Sequence, residues 1–166
     1  MPSSQDQELV EFEAHFRAYY LSVIPRLLDE SGCYLAFLSM VSAIDVLAGL
    51  VGPKRGAGER FESFVADFFP SELCNRGRDL WQMRNLMVHA LNPGPFALTS
   101  GQPHVHLSPY GAATSLNAEN FFDALNHAVS KYFLRLRTDD ALRISFDYRV
   151  RSKDGGAPAT FIVHED

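Results

Sequence analysis

The stretch from Tyr34 to Leu50 constrains this chain most. Phe37, Leu38, Val41, Ile44, Leu47 and Ala48 recur at helical spacing and leave little polar face. A helix apolar nearly all round has to be surrounded by other elements. Ala36, Ser39, Ser42, Ala43 and Ala48 are small and let those neighbours come close. The stretch therefore predicts a central, largely buried helix. Asp45 is the odd residue in it, because a buried carboxylate is costly unless another group pairs with it.

The flanking segments supply the surroundings. From Gln7 onward, Leu9, Phe12, Phe16, Tyr19, Tyr20, Val23, Leu27 and Leu28 form one helical stripe, which Pro25 should kink or divide. Residues 52–58, rich in glycine around Lys54 and Arg55, read as a connector and do not match a phosphate-binding loop. A third helix carries Phe61, Phe64, Val65 and Phe68 and ends at Pro70, with Ser71 as an N-cap for the next. The fourth carries Leu73, Leu80, Trp81, Arg84, Met87, Val88 and Leu91, with Gly77 weakening its first turn. Asn92-Pro93-Gly94-Pro95 must stop it. Phe96 to Thr99 and Val105 to Leu107 suggest a short hairpin. Asn117 is the expected N-cap of a fifth helix bearing Phe121, Phe122, Leu125, Val129, Tyr132, Phe133 and Leu136.

Beyond Thr138 the period changes. Ile144, Phe146, Tyr148 and Val150 alternate with polar residues, which reads as a strand, and Asp154-Gly155-Gly156 as a turn. A C-terminal β-hairpin over 142–163 is expected; a helix through Asp139 to Arg151 is the competing reading. The fold class expected is mainly α, a four-to-five-helix bundle with a small β-hairpin appendage. One domain over 1–166, with its helical core at about 7–137, suits a chain of 166 residues. Thirteen phenylalanines predict an aromatic core.

The net charge of −5 does not advertise a nucleic-acid binder. The charge is uneven, however. Six acids lie in residues 1–30, and seven bases lie in 131–153. With Tyr132, Phe133, Phe146 and Tyr148 interleaved, the basic run suits RNA; core aromatics beside solvated arginines explain it equally well. Cys33 and Cys74 lack the spacing of a disulfide framework or a zinc site. Neither a signal peptide nor an apolar run of about 18 residues is expected, so no membrane partner is expected and the cytoplasm is the default location.

Arg84 and His89 are the leading chemical candidates. Metal-independent RNA cleavage needs a base for the 2′-hydroxyl proton, an acid for the leaving oxygen and a cation for the charge that develops on phosphorus. Histidine serves as base or acid near neutral pH, and arginine grips phosphate bidentately. Five residues at about 100° each put His89 roughly 140° round the helix from Arg84. Either the helix ends in time to turn His89 back, or the pair acts across a subunit interface. The plain alternative is a histidine favoured by the helix dipole and an Arg84–Asp45 ion pair.

The arrangement Arg84-Asn85-Leu86-Met87-Val88-His89 resembles the signature of the HEPN superfamily (higher eukaryotes and prokaryotes nucleotide-binding). Segments 42–48 and 60–65 also resemble parts of bacterial HEPN-like proteins. The likeness covers about residues 33–92. It implies a helical bundle that dimerises, with paired motifs lining the interface. It further implies a metal-independent endoribonuclease of toxin or defence type, needing no cofactor and acting on RNA. Its partners would be a second copy and a cognate antitoxin or other protein. Carried over, His89 is general acid/base, Arg84 the phosphate clamp, Asn85 a positioning residue and Asp45 a supporting one. A tyrosine often stands two residues after the histidine in toxins controlled by modification; Leu91 stands there here. The alternative is a non-catalytic HEPN-like module that binds a nucleotide or a protein partner through the same cleft. His104 and His106 form a pair on a possible strand but lack a third ligand at convincing spacing, so they read as surface histidines.

Overall fold

In the computed structural model, residues 4–29, 32–52 and 56–151 are described. The protein is mainly helical, with a small three-stranded sheet. Helix α1 spans Ser4–Phe16, and a π-helical turn over Arg17–Leu21 and a short turn lead into α2 (Ile24–Asp29). Pro25 accounts for the break. It has no N–H for the Leu21 carbonyl, and its ring crowds that carbonyl, so a regular helix cannot run through. The Ser22 N–H reaches back five residues to the Arg17 carbonyl instead (3.0 Å).

Helix α3 (Cys33–Leu50) is the central element and packs on α2, α4, α5, α6 and α7. Phe37, Met40, Val41, Ala43, Ile44 and Leu47 are fully buried. The helix is long and apolar enough to cross a membrane by length and composition, which corrects the expectation that no segment would be. Half of it is buried inside the fold, so core packing accounts for its apolarity equally well. One stripe is left half-covered or open: Leu35, Leu38, Ser39, Ser42, Asp45 and Val46.

Helix α4 (Ala57–Phe68) buries Phe61, Phe64, Val65 and Phe68 on one face, as expected. Ser71 does not cap the next helix. The Leu73 and Cys74 N–H groups turn back to the Pro70 carbonyl, a 3₁₀ turn follows over Cys74–Arg76, and α5 (Gly77–Ala90) starts without a side-chain cap. Gly77 is a packing requirement at that start. A Cβ on it would lie 2.9 Å from the Glu62 Cα and 3.0 Å from the Glu62 carbonyl oxygen.

The sheet differs from the expected hairpins. Strand β1 (Phe96–Thr99) pairs in parallel with β3 (Ala113–Asn117), and β2 (Pro109–Tyr110) pairs antiparallel with β3, in the order β1-β3-β2. Pro103 opens a 3₁₀ turn over Pro103–Val105, so that stretch cannot extend against β1. Instead Leu107 N–H bonds to the Ser115 carbonyl (2.7 Å) and Ser115 N–H to the Ser108 carbonyl (2.8 Å). Asn117 caps α6 (Ala118–Leu136) as expected, its side chain accepting the Asn120 N–H at 3.1 Å.

The expected C-terminal hairpin over 142–163 is not formed by its first half. Residues Asp140–Arg151 are helix α7, the competing reading; residues 152–163 lie outside the described ones. Leu142 and Phe146 are buried while Ile144 and Tyr148 are 70% and 61% exposed, so the apolar period is four rather than two. Asp139 starts this helix by accepting the Leu142 N–H (3.0 Å). The i,i+4 pair Arg143–Asp147 reinforces it, and Arg135 at the end of α6 pairs with Asp139 across the junction. The buried residues form one cluster, in which Phe64, Phe68, Tyr132 and Phe133 meet ring to ring.

Candidate functional site

The site is built on the outer face of α5 where it meets the open stripe of α3. Trp81, Arg84, Asn85 and Val88 follow one another at i, i+3, i+4 and i+7, so they share that face. Arg84 is held from three directions. It donates to Asp45 at 2.6 Å and to the Asn85 side-chain oxygen at 3.1 Å, and its guanidinium lies 5.3 Å from the centroid of the Trp81 ring. The Arg84 and Asp45 side chains remain 28% and 27% exposed, so the pair is reachable from solvent. Three of the four residues named from the sequence, Arg84, Asn85 and Asp45, are therefore brought together.

His89 is not among them. Helix α5 runs without interruption to Ala90, so the helix does not end in time to turn His89 back. The separation of roughly 140° between Arg84 and His89 stands, and within one chain the two emerge on different faces. His89 is exposed in the last turn. The helix ends at Leu91, which adopts the left-handed conformation (φ 51°, ψ 34°). Leu91 is 80% exposed; Leu35 and Val46 on α3 and Val88 on α5 are also exposed.

Two nearby residues carry roles that the sequence reading did not assign. The Tyr34 hydroxyl donates to the Met87 carbonyl at 2.8 Å, tying α3 to the last turn of α5. Tyr20, presented by the π-helical turn, has its phenol pushed up by burial and, secondarily, by the negative charge of Asp45. A tyrosine at the start of an otherwise apolar helix was the available signal for the first, since a half-buried phenol seeks a partner. The second had none, because local periodicity does not register a π turn.

The other candidates resolve differently. His106 Nδ1 accepts the Asn117 N–H at 3.2 Å, which leaves its proton on Nε2, and burial holds its pKa below the usual histidine value. His104, on the 3₁₀ turn, is exposed. Among the described residues no three His, Cys, Asp or Glu side chains lie close enough to hold a metal ion. The basic run is largely matched by acids: Arg137 meets Glu13, Arg143 meets Asp6 and Asp147, and Arg151 meets Glu8. Comparison with protein-family models, curated proteins and solved structures finds no match to this chain.

Proposed function

We propose that this protein is a HEPN-like, metal-independent endoribonuclease of toxin or defence type that works as a homodimer. The observation that carries the reading is the split site. Arg84 is oriented by Asp45 and Asn85 and open to solvent, whereas His89 stands exposed on another face of the same helix. A second copy docked on Leu35, Val46, Val88 and Leu91 would set two such motifs along one cleft and cover apolar surface. There Arg84 would grip the scissile phosphate bidentately, and His89 would move the proton to or from the 2′-hydroxyl or leaving oxygen. Asn85 steadies the guanidinium, and Asp45 aims it. No cofactor enters this scheme.

One observation favours a second reading. Arg84 already has an ion-pair partner, a side-chain acceptor and an aromatic face, which is what a purely structural arginine has. On that reading the module binds a nucleotide or a protein partner, an antitoxin among them, and cuts nothing. Purified wild type and His89→Ala, incubated with RNA in the presence of chelator, separate the two. Cleavage by wild type that His89→Ala loses, with the dimer intact by light scattering, is the expected result. A dimeric wild type that leaves RNA intact supports the binding module, and a monomer overturns the shared cleft.

A further inference from the structure

The end of α5 turns its backbone groups back on themselves through a left-handed cap. In a regular helix the Leu91 and Asn92 N–H groups would bond to the Met87 and Val88 carbonyls. Here both turn to the Leu86 carbonyl. The Met87 carbonyl takes the Tyr34 hydroxyl instead, at 2.8 Å and from a residue 53 positions away on α3. The Met87 side chain is itself buried in the core. The last turn is thus pinned through one residue, by its side chain inside and its carbonyl outside. Helix ends otherwise fray, since their final carbonyls lack partners. The left-handed backbone at Leu91, disfavoured for a residue with a Cβ, also has to be held by its surroundings.

His89 stands two residues beyond that pin. His89 is exposed, and the backbone of the last turn sets the direction in which its side chain leaves the helix. We propose that Tyr34 is the positioning residue for His89: its hydroxyl clamps the α5 terminus at Met87 and so fixes where the imidazole is presented. The catalytic use of this clamp rests on the endoribonuclease reading; the clamp itself does not.

Tyr34→Phe tests it, because the substitution removes one oxygen and leaves the ring packed. The imidazole signals of wild type and Tyr34→Phe are compared by NMR at one pH, with His89 assigned from His89→Ala. The expected result is a changed His89 imidazole chemical shift, with the signals of His15 and His127 unchanged. Amide exchange at Val88 to Ala90 should quicken about tenfold, the loss of one hydrogen bond. In RNA cleavage kcat should fall several-fold with KM unchanged. A folded Tyr34→Phe with the wild-type His89 imidazole shift and wild-type exchange overturns the clamp. An inert wild-type enzyme removes only the catalytic use, since the imidazole and exchange readouts do not depend on turnover.

Discussion

The side of the molecule formed by α1 and α7 and the side formed by α3 and α5 both place polar residues over an aromatic core, but they use them differently. On the first, the charges annul one another. Glu13 is shared by Arg17 and Arg137, Asp6 meets Arg143, and Glu8 meets Arg151. The acid-rich start of the chain and its base-rich later segment are two halves of one seam. On the second, the Arg84–Asp45 pair sits among open apolar residues, and His89 faces solvent. A run of charge in a sequence therefore argues for a partner only when the fold leaves it unmatched. The base-rich segment does not meet that condition at Arg137, Arg143 and Arg151.

The sharpest way to break this comparison is to undo the seam from beneath. Phe146 is fully buried and meets Phe12 edge-on at 5.3 Å. Phe146→Ala should cost about 3–5 kcal/mol in urea unfolding. Tyr148→Ala, on the exposed side of α7, should stay within about 0.5 kcal/mol. A strand would put both rings on one face and make the two costs similar, so equal losses would reject the helix.

That contrast also shows why this segment misled a reading by period. Residues 144, 146, 148 and 150 are apolar or aromatic in strict alternation, and local pattern alone favours a strand. What decides for a helix is the cap at Asp139, the i,i+4 pairs and a seam of acids more than 120 residues earlier. The last of these cannot be seen in a window. Helices α3 to α6 were legible because their apolar stripes repeat at 3.6 residues and their ends carry proline or an Asn cap. The parallel β1–β3 pairing was not, since it joins residues separated by the Pro103 turn. At the site, the Arg84–Asp45 pairing was legible because a carboxylate on an apolar helix demands a cation, while Asn85 was named only through the resemblance. Tyr34 was not, because its partner is a main-chain carbonyl, and every residue has one.

Acid should loosen the start of α7 before it touches the α3–α5 side. The Leu142 N–H and then the Arg135 side chain hold the Asp139 carboxyl below its usual range. A carboxyl whose pKa is depressed on folding contributes stability above its unfolded pKa and loses it as pH falls through the folded value. Amide protection along α7 should therefore drop below about pH 4, where free carboxylates protonate, while protection at the centre of α3 persists. Asp139→Asn keeps the cap oxygen without the charge and should flatten that drop. Equal loss along α3 and α7 would mean that acid acts on the whole fold rather than on this cap.

The smallest effect expected is the most decisive for the comparison. His89 is exposed and lies one residue before the end of α5. If it is kept for chemistry rather than packing, His89→Ala should change unfolding free energy by no more than about 0.5 kcal/mol, as surface substitutions away from caps and cores do. Alanine's better helix propensity, worth at most about 0.7 kcal/mol, offsets any small loss. A fall of more than about 1 kcal/mol would place His89 among structural groups such as Glu13 and Arg143, and the α3–α5 side would then differ from the seam only in its exposed apolar residues. A variant as stable as wild type that has lost RNA cleavage would separate the two sides in function as well as in charge.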